Sequence, residues 1–393
     1  EGCGKNLDPG ELTNLESAVD GSKLILRETK HMYLKLSDFQ NDLENWISEK
    51  TFWKPSVKNQ TIGFLQKGLI DRAITRDIDW GVDVPLEGYT DKKIYVWFEA
   101  VLGYLSASIE WAKSSHNKSG NTEKWKEWWS NKDAKHFYFQ GKDNIPFHAI
   151  ILPSILLGVG DLNLPYDVVA NEYLNFSGKQ FSKSNNWAVW VPDFLEEFDS
   201  EALRYHLTSI MPETSDSDFT WDSFYKSNNN ELVATFGNFV NRIESLLRNN
   251  FDNKVPKPID LNENDKRMIE SIKGTFKVTH KYIYARQFRN ALKSIMALAQ
   301  DGNKYVDYNA PWKEIKTDKQ RAATTLWVAI NVVSNLGVLI SPFLPKTSIK
   351  ISQLLSQKDD LLWQFREIMP ETMLNTQGPL FKKIDLAEKQ KNI

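Results

Sequence analysis

The sequence of 393 residues has a single cysteine, Cys3. No disulfide can form within it, so a reducing compartment, the cytoplasm, is expected. Apolar runs are short. None reads as long enough to span a bilayer and no signal peptide is evident, so no membrane partner is expected. Basic charge is not in excess either: Lys and Arg number 49 against 51 Asp and Glu, a net charge of −2. That argues against broad binding to DNA and leaves room for a shaped RNA contact through local basic groups. An initiator methionine is also missing; the chain enters on Glu1-Gly-Cys-Gly and reads as a fragment. What is plentiful is tryptophan, 14 residues, which suits either an aromatic core or aromatic-lined pockets.

Length allows two or three domains, and three textures follow one another. Residues 1–74 mix short apolar runs with a helix expected at Leu36–Ile47. From Thr75 to Tyr173 strands and helices alternate. Lys93–Ala100 and His136–Gln140 read as buried strands, and Leu102–Ala112 and Phe147–Leu157 as the helices that follow. Such alternation predicts a parallel sheet with crossover helices and ligands at the carboxyl ends of its strands. From about Asn230 the pattern is helical. Leu232, Phe236, Phe239, Val240, Ile243, Leu246 and Leu247 form one stripe, and helices are expected at 264–284, 285–306, 318–339 and 346–355. The fold class is therefore α/β followed by an α-helical bundle.

Four segments carry candidate chemistry. Gly178-Lys179-Gln180-Phe181-Ser182-Lys183-Ser184 follows an apolar run. A lysine between two serines on a glycine-flexed loop suits a triphosphate, although such a loop is also what a plain solvated surface offers. Gly141-Lys142-Asp143-Asn144-Ile145-Pro146-Phe147-His148 sits where a strand hands over to a helix. Its free N–H groups and Asp143 could meet a ribose, or Asp143 could simply cap the helix. His148 by itself reads more often as a satisfied core histidine than as a ligand-binding group. Tyr95-Val96-Trp97-Phe98-Glu99-Ala100-Val101-Leu102-Gly103-Tyr104 places Trp97 on a strand and Tyr104 one turn into a helix, as core residues or as walls for an apolar, polarizable ligand. In the helical part Asn238 and Arg242 share a face beside the apolar stripe, open to solvent. Trp312 follows Pro311, where an aromatic could stack on a splayed base.

Together these segments resemble methionyl-tRNA synthetases of the archaeal/eukaryotic type, over almost the whole chain. The lysine loop resembles the KMSKS signature of class I aminoacyl-tRNA synthetases in its Phe-containing form. The Gly141–His148 run resembles the family's GKDN–PFH segment, and Tyr95–Tyr104 its YVWFDA–GY motif. Ile74–Gly81 resembles the ISRD–WG motif, and Arg27–His31 an RETEHFF-like strand. Asn238 and Arg242 fall on GN–NR, Trp312 on YVD–APW, and Asp193–Tyr205 on the stem-contact segment.

The resemblance implies a methionine–tRNA ligase. Its substrates are ATP with Mg²⁺, methionine and tRNA(Met), and a monomer is expected. Lys183 and Arg76 would be catalytic. Gly141, Asp143, Ser182, Lys183 and Ser184 would bind ATP. Trp97, Val101, Tyr104, Phe147 and His148 would line the methionine pocket, and Asn238, Arg242 and Trp312 would read the anticodon. The divisions implied are a connective, zinc-knuckle remainder at 1–74, the second half of a Rossmann-like domain at 75–173, the lysine loop and stem contact at 174–229, and the anticodon-binding bundle at 230–393. Cys3 resembles the last ligand of the zinc knuckle, so Zn²⁺ is expected only where upstream ligands are present. Gln180, Asn185, Glu99 and Val101 depart from the family pattern. The His-Ile-Gly-His signature is absent from this sequence, so the chain alone is expected to be inactive. Two rivals follow: a non-catalytic tRNA-binding fragment of a split enzyme, and a synthetase for valine, isoleucine or leucine.

Overall fold

A chain extends where apolar residues alternate and coils where they recur every three to four residues. The computed structural model follows both rules; it describes residues 16, 21–23, 28–357, 362–376 and 378–385. Cys3 and Arg27 lie outside the described residues. The chain divides into two compact units, Glu1–Asn171 and Glu172–Ile393.

In the first unit β1 (Tyr33–Leu34) pairs antiparallel with β2 (Arg72–Ala73). Between them α1 (Gln40–Ser48) and α2 (Pro55–Gln66) bury Leu43, Ile47, Val57 and Leu65. Pro55 opens α2, where its missing N–H costs nothing. β3 (Thr75–Arg76) pairs antiparallel with β4 (Lys93–Ile94). Then come α3 (Val96–Glu99), a 3₁₀ turn (Ala100–Leu102), α4 (Gly103–Lys113) and α5 (Lys126–Trp129). β5 (Phe137–Gly141) and β6 (Asp167–Asn171) are parallel, in register from Phe137↔Asp167 to Gly141↔Asn171. A parallel pair needs a long crossover. Here it is a 3₁₀ turn (Lys142–Asn144), a π-helical turn (Phe147–Ile151) and α6 (Leu152–Val159). Asp167–Ala170 are all buried, as a strand covered on both faces requires.

Two expectations fail here. Lys93–Ala100 is a strand only over Lys93–Ile94. The Tyr95 N–H still bonds the Ile74 carbonyl (2.8 Å), but the Phe98 and Glu99 N–H groups turn back to the Tyr95 carbonyl (2.9 and 3.2 Å). Trp97 is therefore helical, because an unbroken apolar run fits either element. The strand expected at 27–31 is absent among its described residues: Thr29 and His31 turn their side chains to Asp77 and Thr75, and extension begins only at Tyr33.

In the second unit β7 (Leu174–Phe176) is flanked by antiparallel β8 (Lys179–Gln180) and parallel β9 (Ser217–Phe219). The helices α7 (Val191–Glu197), α8 (Ser200–Ser209) and α9 (Trp221–Lys226) lead through a π-helical stretch, Ser227–Gly237, into α10 (Asn238–Asn250). Continuous helix thus starts nine residues before Asn230, at Trp221, capped by a reciprocal Thr220/Ser223 box. There follow α11 (Glu263–Tyr284), α12 (Phe288–Asn309), α13 (Pro311–Thr317), α14 (Lys319–Ile340) and α15 (Pro345–Leu354). The stripe Leu232, Phe236, Phe239, Val240, Ile243 and Leu247 is buried as expected, and Leu246 packs against it.

One sequence reading needs correction. α14 is long and apolar enough to cross a membrane, yet it is wholly buried. Every residue from Ala322 to Ile340 is covered, so its all-round apolarity is that of a central core helix. Two glycines let neighbours close on this core. A Cβ on Gly302 would lie 2.7 Å from the Phe239 ring, and one on Gly337 would lie 2.8 Å from Ile351 Cγ2.

Gly302→Ala should destabilise the protein by about 1–3 kcal/mol, since the buried Phe239 ring has nowhere to go; urea unfolding measures it, and an unchanged midpoint would refute the close approach. A second expectation concerns pH. His206 is 1% exposed, with Nδ1 3.0 Å from Ser227 Oγ and Nε2 3.3 Å from Ser223 Oγ. Burial pushes its pKa from 6.5 down to about 4. Between those values the unfolded chain binds the proton more readily. Stability is therefore intact above pH 6.5 and lost as pH falls toward 4, by up to about 3 kcal/mol. His206→Gln should flatten that part of the stability–pH curve.

Candidate active site

Three segments of the first unit bring aromatic rings together. Trp97 on α3 is 50% exposed and its ring lies 5.7 Å from that of Phe147, on the π-helical turn. Tyr104, at the start of α4, is 47% exposed. Its hydroxyl lies 2.9 Å from Nε2 of buried His148, whose Nδ1 lies 3.0 Å from the Asn144 carbonyl. A carbonyl only accepts, so Nδ1 carries the proton, and Nε2 accepts from Tyr104. Burial lowers the His148 pKa against the opposing pull of that carbonyl. Val101 is buried in the core beneath, with Trp129, Tyr138 and Leu152. The sequence reading missed Tyr138. It stands 5.1 Å from the Tyr104 ring and 5.5 Å from the His148 ring. Its signal was the unbroken run of rings from His136 to Phe139, taken there only as strand core. The result is a half-exposed aromatic surface beside a neutral, fixed imidazole.

Gly141 ends β5, and Asp143 stands exposed on the 3₁₀ turn that follows. Gly141 is the cap residue of this turn and Pro146 that of the π-helical turn, so Asp143 lies within the first of them. It sits at the carboxyl end of a parallel strand, where such sheets present ligands.

Arg76 makes no ion pair with its neighbour Asp77. Its Nη1 donates to the carbonyls of Ala73 and Thr75, both at 2.8 Å, and its guanidinium lies 3.8 Å from the Tyr95 ring centre. Asp77 accepts from Lys92 and from Thr29 (2.7 Å). The Lys92 hydrogen bond, above all, holds its carboxyl below the usual range. Tyr95 was quoted in the sequence motif without a role; its stacking on Arg76 needed the β3–β4 pairing to appear.

In the second unit the lysine loop is a hairpin. Ser177 and Gly178 have φ of 49° and 79°, the paired positive values of a tight two-residue turn. Past β8, a bridge between Ser182 and Trp187 closes the loop. Inside it Lys183 and Ser184 are exposed, and the Ser182 and Ser184 hydroxyls lie 3.2 Å apart. Trp187 anchors the base: its Nε1 donates to the Phe176 carbonyl (3.0 Å), and its ring lies 5.0 Å from that of Phe176. Lys179 places its ammonium 5.2 Å over the Trp187 ring. Lys183 is thus the cation presented at the tip, while Lys179 rests on the aromatic base.

At the other candidate site Asn238 is exposed on α10. Arg242 departs from the open face expected for it. It pairs with Asp307 of α12 at 2.7 Å, and its guanidinium lies 4.4 Å from the Trp312 ring centre. The stripe it borders is the bundle core, so α12 and α13 partly cover it. Asp307 stood in the sequence motif unassigned. Trp312 is half-buried on α13, whose start is set by Ala310 in the left-handed region (φ 45°) and Pro311 at the first helical position.

Residues 1–244 match the family model for class I tRNA synthetases (M), and residues 255–391 that for the anticodon-binding domain of methionyl tRNA ligase. A methionine–tRNA ligase of Dehalococcoides mccartyi is 47% identical over 98% of this chain and 69% of its own length. One of Thermococcus kodakarensis is 43% identical over 99% of this chain and 54% of its own length. The chain thus spans about half to two thirds of these relatives. Among solved structures, Mycobacterium tuberculosis methionyl-tRNA synthetase in complex with methionyl-adenylate superposes with a TM-score of 0.81 at 26% identity. The match covers 93% of this chain and 71% of that one.

Proposed function

Because the chain belongs to the methionyl-tRNA synthetase family, we propose that it acts as a methionine–tRNA ligase in the cytoplasm. The methionine carboxylate attacks the α-phosphate of ATP. A carboxyl oxygen–phosphorus bond forms, the bond to the β-phosphate bridge breaks, and pyrophosphate leaves. A ribose hydroxyl at the 3′ end of tRNA(Met) then takes the methionyl group from the adenylate, releasing AMP. No residue becomes covalently bound; the protein positions groups and compensates charge.

The half-exposed ring cluster of the first unit carries this reading. Trp97, Tyr104 and Phe147 offer aromatic faces to a thioether, over Val101. His148 keeps a single tautomer through Asn144 and Tyr104, which fixes the shape of that wall. Asp143 meets the ATP ribose beside the Gly141 backbone. Ser182, Lys183 and Ser184 meet the polyphosphate, with Mg²⁺ sharing its charge. Arg76 stabilises the charge that builds during activation. Asn238, Arg242 and Trp312 read the anticodon. Zn²⁺ at Cys3 would need three further ligands, since a structural zinc is held by four. A non-catalytic RNA-binding fragment is not favoured, since the relatives at 43–47% identity carry the ligase name.

The test uses the full-length gene product. Lys183→Ala should slow pyrophosphate exchange on the order of 10²–10³-fold, as loss of a charge-stabilising donor does, and leave tRNA affinity alone. Trp312→Ala should weaken tRNA binding by about 1–3 kcal/mol, the worth of one stacked base, and leave exchange alone. If both variants lost the same step to the same extent, the assignment of two separate tasks would fail.

A further inference from the structure

The chain as a whole is nearly balanced in charge, but one part of it is not. Residues 271–300 contain Lys273, Lys277, Lys281, Arg286, Arg289 and Lys293 and not one Asp or Glu. They form the end of α11, the turn and the first half of α12. The hairpin end is tied together by Thr279 and Ser294, whose hydroxyls lie 2.8 Å apart. Lys277 and Lys281 are exposed one turn apart on α11, as are Arg289 and Lys293 on α12. No ion pair to a carboxylate joins any of these four among the described residues. Lys273 pairs back to Glu270 at 2.7 Å, and Glu213 accepts from the Arg289 backbone N–H at 3.0 Å, near the start of α12. At the same tip Tyr284 is 52% exposed, with the His280 ring stacked near it at 15°.

Four such cations, Lys277, Lys281, Arg289 and Lys293, gathered near one end of a helical hairpin repel one another unless a polyanion joins them. From this geometry we propose that the tip of the α11–α12 hairpin binds the sugar–phosphate backbone of the tRNA, as a contact separate from the anticodon-reading residues. The inference rests on the ligase reading. Arg289 stands at one end of α12 and Trp312 just beyond the other. At 1.5 Å per residue, the 22 residues of α12 span about 33 Å. One helix thus separates the cationic tip from the surface of Asn238, Arg242 and Trp312 that is proposed to read bases. Phosphate contacts position an RNA without reading its sequence. The tip should therefore hold cognate and non-cognate tRNA alike and leave discrimination to α10 and α13.

The test compares the full-length protein with the K277Q/K281Q/R289Q/K293Q variant. Two tRNA(Met) transcripts are used, one native and one with its anticodon bases changed. The Kd should rise about tenfold or more for both transcripts, with their ratio unchanged. The slope of log Kd against log salt concentration should fall by roughly three, close to one per cation removed. Pyrophosphate exchange should stay as it was. A milder variant, K277Q/K281Q, should give about half the change in slope and covers the case in which four substitutions disturb the fold. Unaltered Kd and slope in either correctly folded variant would overturn the proposal. So would a loss confined to the native transcript, which would make the tip a reader of bases. Trp312→Ala run alongside separates the two failures: if it too leaves binding unchanged, the ligase reading itself is at fault.

Discussion

A carboxylate without water sits near the start of α11. Asp265 is fully buried, and an ion left there alone would cost several kcal/mol. It is satisfied by two hydrogen bonds from Arg321 of α14, both 2.7 Å, and one from the Tyr305 hydroxyl of α12 at 2.5 Å. Burial pushes this carboxyl up, but the hydrogen bonds from Arg321 and Tyr305 outweigh that and hold it below its ordinary value. Three helices must therefore meet at one point and in one rotation. The lock reaches α13 as well, because Thr325 approaches Glu314 at 3.4 Å. That short helix bears Trp312. The stacking of Arg242 on Trp312 thus depends on a charge that tolerates only one arrangement of its neighbours.

The first unit solves a different problem. Its candidate site uses rings that would normally be core, and two of them, Trp97 and Tyr104, are left half in water. They keep their places because the layer beneath is complete: Val101, Tyr138, Leu152 and Leu156 are buried. The hydrogen bonds on both ring nitrogens of His148 then remove the remaining freedom at that wall. A rigid floor under an exposed apolar face leaves little side-chain entropy to be lost when a ligand arrives.

Much of this was legible in the residues. The 3.6-residue stripe from Leu232 to Leu247 named the buried face of α10, and the apolar run at Phe137–Gln140 named a strand of the parallel pair. Gly178 marked the turn under Lys183, because few other residues adopt its φ. Reading failed where a run was apolar without period. Val96–Phe98 could not be told from a strand, and the uncharged stretch of α14 was not weighed as a helix of bilayer length. Nor could helical phase foresee that α12 and α13 would close over Arg242.

What the sequence determined by itself was local and periodic: which segments coil, which faces are apolar, where the turns must fall, and which short motifs bear charge or rings. Those properties depend on spacing along one element, and spacing is written in the chain. The tertiary structure decided which side chains answer one another across elements. Tyr95 covers Arg76, Lys92 takes Asp77, Tyr104 donates to Nε2 of His148, Lys179 lies on Trp187, and Asp307 draws in Arg242. Each of these pairs is set by how helices and strands pack, and packing is a property of the whole core.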